Sequence, residues 1–306
     1  MSPTGFLAVN RARPQSLRLA FLLLVFISLG CRDDTVAPTP PDTTTGSWVR
    51  YTPFNWIHDG RPYESTYVKV YSDAASDAMK RQLAEIADQR FSRIMTLFEF
   101  HDVADFIYPP GYSKLEIYIN RTHSESVNWA YWGGFIFTIR SSEISGHWLN
   151  YTVYTVRHEL LHDFEFLIEG REVLGTDFWF KEGIATHVGC LENTGWSTIR
   201  DASELEAWIA QNETVPGGGN PIKIRQASDF PPGADWHEYY RVFELVVTYI
   251  LDEKGMGRSY QDVLGLFYDL RDGISFPVSF EGHFGIAVSD FEAEVFDRLR
   301  AYLSDS

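Results

Sequence analysis

The chain has 306 residues, 44% of them hydrophobic and 15% aromatic, with 26 basic and 42 acidic side chains. That is ample apolar material for a packed core and excludes a chain disordered throughout. A formal net charge of −16 argues against nucleic acid as a partner and against electrostatic adhesion to anionic lipid.

The first thirty residues stand apart from that core. Arg11, Arg13 and Arg18 form a basic stretch, and residues 19–29 are a run of about eleven, almost all apolar. Such a run is too short to span a bilayer and reads as a signal peptide. It closes on Ser28-Leu29-Gly30-Cys31, followed by Arg32-Asp33-Asp34, and resembles a bacterial lipoprotein signal with the Ser and Leu positions exchanged. The resemblance implies cleavage before Cys31, acylation of that cysteine and lipid anchoring in the cell envelope, on the periplasmic or extracellular face. A plain secretory signal or an uncleaved anchor is the alternative. Removing residues 1–30 deletes three arginines and no acid, which takes the net charge from −16 to −19. Residues 31–47 are rich in Pro and Thr without periodicity and suit an extended tether. Once Cys31 carries lipid, Cys190 has no disulfide partner and reads as a small buried apolar residue.

Residues 66–71 (Thr-Tyr-Val-Lys-Val-Tyr) alternate and predict a strand. Residues 75–98 carry Met79, Leu83, Ile86, Ala87, Phe91, Ile94, Met95 and Phe98 at spacings of three and four, the mark of a long amphipathic helix. After the turn at Tyr108-Pro109-Pro110-Gly111, residues 114–119 alternate again. Residues 133–140 (Gly-Gly-Phe-Ile-Phe-Thr-Ile-Arg) predict a third strand.

A helix over roughly 149–168, stopped by Gly170, carries Val156-Arg157-His158-Glu159-Leu160-Leu161-His162, an HExxH. Two histidines four apart lie about 40° from eclipsed and one turn up the axis, so both imidazoles can reach one cation. Glu159, about 100° round from His158, can face a water held by that cation. The next helix start, Phe178-Trp179-Phe180-Lys181-Glu182-Gly183-Ile184-Ala185-Thr186-His187, places a carboxylate with 19 residues between it and His162. A catalytic zinc takes three protein ligands and keeps a fourth position open, and Glu182 can complete a His₂Glu set.

An HExxH followed by WxxEGxA, here Trp179, Glu182, Gly183 and Ala185, resembles the gluzincin metallopeptidases. The 19-residue spacing equals that of thermolysin-like enzymes, and the short bacterial peptidase MA-like proteins are most similar. The resemblance implies one zinc ion per chain on His158, His162 and Glu182, with Glu159 as general base in peptide-bond hydrolysis. It extends to residues 236–253, similar to the family's tyrosine helix, from which a Tyr or His holds the oxyanion. By register Tyr240 is the candidate, with Tyr239 and His237 as alternatives. His187 reads either as a group supporting the zinc ligands or as a partly exposed helix residue.

Residues 203–210 predict a short helix, and the Gly/Pro-rich stretches at 216–221 and 231–233 either border a site or connect helices. Ser289-Asp290-Phe291-Glu292 has the form of a capping box ahead of a last helix with Phe291, Val295, Leu299, Tyr302 and Leu303 inside.

The expected fold is α+β: a small N-terminal mixed sheet with one long helix over 48–148, then a mainly helical subdomain over 149–306. The resemblance adds a zincin-like cleft between the two, with residues 133–140 as the edge strand that pairs with substrate. The expected function is a zinc metallopeptidase acting on a peptide or protein substrate. The alternative is a non-catalytic surface lipoprotein that binds peptide or glycan on the same fold.

Overall fold

The computed structural model describes residues 50–51, 57–58, 61–72, 74–122, 128–170, 175–191, 198–213, 220–232 and 234–304. The expected leader, Cys31 and the tether lie outside the described residues. No helix among the described residues is long and apolar enough to cross a membrane.

Seven strands and eight helices are described, so the class is α+β. Two short strands, β1 (Arg50–Tyr51) and β2 (Ile57–His58), pair with each other. The main sheet is built from β3 (Tyr63–Glu64), β4 (Val68–Ser72), β5 (Leu115–Asn120), β6 (Trp129–Tyr131) and β7 (Gly134–Thr138), in the order β3-β4-β5-β7-β6. The three central strands run parallel, and β3 and β6 flank them antiparallel. Helix α1 (Asp77–Leu97) makes the crossover from β4 to β5, and Ser76 caps it by accepting from the Met79 amide.

The place of β7 corrects an expectation. Residues 133–140 were expected to form the edge strand, but β7 lies inside the sheet and β6 takes the border. The cause is local: the two residues Trp132-Gly133, with Gly133 at φ 100°, turn the chain so that Tyr131 pairs with Gly134. Gly134 has to be glycine, because a Cβ there would overlap the Glu116 carbonyl of β5.

One face of the sheet, with Val68, Val70, Leu115, Ile117, Ile119, Phe135 and Phe137, joins α1 in the main core. Its other face carries Tyr71, Tyr118, Tyr131 and Ile136, where the Tyr118 hydroxyl donates to the buried Glu116 carboxylate at 2.8 Å.

Helix α2 (His147–Glu169) runs through the middle of the molecule, and nearly every residue from Thr152 to its end is buried. It stops at Gly170, whose φ of 68° is a left-handed cap and whose amide reaches the Phe166 carbonyl at 2.8 Å. Helices α3 (Phe178–Cys190), α4 (Ala202–Glu213), α5 (Trp236–Leu251), α6 (Tyr260–Arg271), α7 (Phe276–Phe284) and α8 (Val288–Ser304) follow. The main core is continuous across residue 148, joining sheet, α1 and α2 to the later helices.

Two details at the C-terminal end differ from expectation. Ser289 does not cap α8: the helix starts at Val288, and the Ala287 carbonyl takes the Asp290 and Phe291 amides at 3.1 and 2.9 Å. The Glu292 carboxylate, expected to reach back to the cap, accepts instead from the Arg225 guanidinium at 2.6 Å. A true capping box sits at α6, where Ser259 and Asp262 satisfy each other's backbone amides.

Candidate metal centre

His158 and His162 project from the same face of α2, one turn apart, and α3 brings Glu182 against them. The His158 and His162 Nε2 atoms are 3.2 Å apart, and Glu182 Oε2 lies 3.3 Å from the first and 3.4 Å from the second. All three side chains are buried. Zinc bonds of about 2.0–2.1 Å at tetrahedral angles separate neighbouring donors by about 3.4 Å. The observed triangle therefore has the size that a four-coordinate ion requires. His158, His162 and Glu182 could hold a metal ion, each offering one ligand atom.

The local sequence explains how α3 delivers its carboxylate. Trp179 is fully buried against Phe180, Phe276, Phe280 and Phe291, fixing the first turn of the helix. Gly183 lets α5 approach, since a Cβ there would lie 2.8 Å from both the Phe243 carbonyl oxygen and a Val247 methyl. Ahead of the helix, the Arg225 and Ile224 carbonyls accept the Phe178 and Trp179 amides at 2.9 and 3.1 Å. The Asp177 carboxylate is drawn to Arg225 and does not cap its own helix. Residues 220–232, whose loop role the sequence left open, therefore hold the start of α3 in place.

Glu159 points to the edge strand, where it accepts the Ala130 backbone amide. Burial raises its carboxyl to about 7, the neighbouring Glu182 charge adds to the rise, and His158 opposes it. Glu182 behaves in the opposite way: burial works against its charge, yet the histidines pull its carboxyl well below the usual range. Burial lowers His162 to about 4, leaving a neutral imidazole with a free electron pair. His158 is raised, its burial outweighed by the bond to Glu182 and the charges of Glu159 and Glu182.

Of the three oxyanion candidates, the structure brings only Tyr240 to the site. Its hydroxyl bonds to Glu182, and its ring stacks on His158 with centroids 6.2 Å apart. Burial and the Glu182 charge hold its phenol well above the usual value, so it stays a proton donor. Tyr239 faces away, packed on Trp208 and Phe230. His237 is exposed and bonded to Asp235. His187 lies outside the donor triangle, in a polar clasp joining α3, α5 and α6: Nδ1 meets the Thr248 hydroxyl at 2.9 Å and Nε2 the Tyr260 hydroxyl at 2.8 Å. Cys190, expected to be buried, is half-buried, and burial pushes its thiol up to about 12, which keeps it protonated at neutral pH.

Three groups at the site were not singled out from sequence. Tyr154, one turn before His158, lies with its ring 5.8 Å from that imidazole, so His158 sits between two tyrosines. Its i−4 spacing was the available signal. Ala130 acts through its backbone, which leaves no trace in residue type. Lys181 stands inside the WxxEGxA match, where only the fixed positions drew attention.

No protein-family model matches the chain, and no curated protein is significantly similar to it.

Proposed function

We propose that the protein is a zinc-dependent metallopeptidase of gluzincin type, anchored in the cell envelope by a lipid on Cys31. The observation that carries the reading is the zinc-sized triangle of His158, His162 and Glu182, with Glu159 and Tyr240 beside it. A zinc ion held there supplies a Lewis acid that polarises a carbonyl and brings the pKa of water towards 7.

The chain's own groups do the rest. Glu159, with a carboxyl near 7, can take a proton from the attacking water and return it to the leaving amine at neutral pH. The Ala130 amide fixes where that carboxylate points. Tyr240, protonated at all physiological pH, donates to the oxygen that gains charge as the carbonyl is attacked. Substrate would lie extended in a zincin-like cleft along β6, the border strand.

The test is to measure bound metal in the purified protein and to compare digestion of a mixed peptide library by wild type and Glu159→Gln. Cleavage by wild type, lost in the variant while zinc is retained, is expected. Zinc in both with no digestion by either would sink the peptidase reading on that library and favour the non-catalytic peptide- or glycan-binding reading or another substrate. Failure to take up zinc when it is supplied would sink the centre itself.

A further inference from the structure

Zinc histidines usually donate their second ring N–H to a carboxylate or carbonyl, which fixes the ring. Here neither His158 Nδ1 nor His162 Nδ1, both buried, has a hydrogen-bond partner among the described residues. Outside support for the centre falls instead on the third ligand. Glu182 turns Oε2 to the two imidazoles and Oε1 towards the Lys181 ammonium, 3.9 Å away, and the Tyr240 hydroxyl bonds to the same carboxylate.

Lys181 is an unusual neighbour. Its side chain is only 6% exposed, and an ammonium is expensive to bury unless charged or aromatic groups surround it. Both are present: the Phe178 ring lies beneath Nζ, 5.1 Å from the centroid, in the range of a cation–π contact. The charge of Lys181 is also felt at Glu159, Glu165 and Glu182.

We propose that Lys181 is the positioning residue of the metal centre. By drawing Oε1 to its charge it would leave Glu182 to offer Oε2 alone, so that an ion bound there would take three protein donors and keep a position for water and substrate. Without that hold the carboxylate could rotate to present both oxygens, filling the position a catalytic ion must keep open. This inference rests on the zinc reading above but not on peptide hydrolysis.

The experiment compares wild type, Lys181→Met and Lys181→Arg. Zinc affinity is measured by competition with a chromophoric chelator, and the visible spectrum is recorded with cobalt(II) in place of zinc. Cobalt bands are intense with four donors and weak with five or six. Losing such outer support costs about 10- to 100-fold in metal affinity in other centres. The same loss is expected for Lys181→Met, with a fall in cobalt band intensity and substantial recovery in Lys181→Arg. Melting of the metal-free forms, followed in parallel, separates this effect from general destabilisation. Should Lys181→Met fail to fold, Lys181→Gln, which removes the charge but keeps a polar end, is read the same way. Wild-type zinc affinity and an unchanged cobalt spectrum in the folded variant would overturn the proposal. Absence of zinc binding by wild type would overturn it together with the zinc reading, whereas zinc binding without peptide cleavage leaves it standing.

Discussion

Glu159 and Glu182 are both buried beside the same pair of histidines, yet their surroundings push them in opposite directions. Glu182 is kept ionised by imidazoles on one side, which suits a ligand, while Glu159 is raised to about 7 by burial, which suits a proton carrier. Replacing Glu159 with Gln should lower kcat/KM by roughly 10²- to 10⁴-fold, as removal of a general base does, with zinc content unchanged by metal analysis. Tyr240→Phe should lower kcat by about 10²- to 10³-fold with little change in KM, the pattern of a contact made only in the transition state. The pH profile follows from the base: only ionised Glu159 can accept a proton, so kcat/KM should rise with pH and level off. A cation beside the carboxylate favours its ionised form, so about 7 is the upper limit for the midpoint of that rise. A rate that falls on going from pH 5 to pH 7 would be incompatible with Glu159 as base.

At the scale of elements, the long periodic segments were legible, as were the strands β4, β5 and β7 and the short helix α4, whereas β6, α6 and α7 were not. Helices α1 and α2 repeat apolar residues over many turns, so tertiary packing and sequence pattern agree. Strand β6 has three residues, too few to show a period, and its position followed from a glycine turn that was read as a strand entry. Helix α6 was missed despite the Ser259–Asp262 capping box, and α7, a single aromatic-rich stretch of 9 residues bounded by Ser275 and Gly285, is too short to show a clear period. The WxxEGxA pattern resolves into separate physical jobs: Trp179 anchors, Glu182 faces the histidines, and Gly183 admits α5. Gly183→Ala should therefore wedge α3 from α5, costing about 1–3 kcal/mol as overpacking does. Chemical denaturation should show this as a lower midpoint, with zinc affinity reduced in parallel. A stable Gly183→Ala protein would mean that the contact with the Phe243 carbonyl is easily relieved.

For the whole molecule, the donor triangle was legible because its ligands recur at fixed spacings on two consecutive helices. What holds those helices was not, because Arg225, the β6 amide and the His187 clasp act across long sequence distances. A ligand bound only by the folded state stabilises it by RT ln(1 + [L]/Kd), about 4 kcal/mol at a thousandfold excess over Kd. Chelation should therefore lower the melting temperature, and re-adding zinc should restore it. Calorimetry with and without chelator checks this, and coincident curves would argue against a tight site.

The borders of the main sheet carry one more consequence. Its outermost strands, β3 and β6, have only two and three residues among those described. An open strand edge invites other chains to extend the sheet, and brevity is one of the ways proteins limit such growth. Here the same shortness would let β6 grip a brief extended segment and release it, while giving a second copy of the protein too little backbone to stack upon.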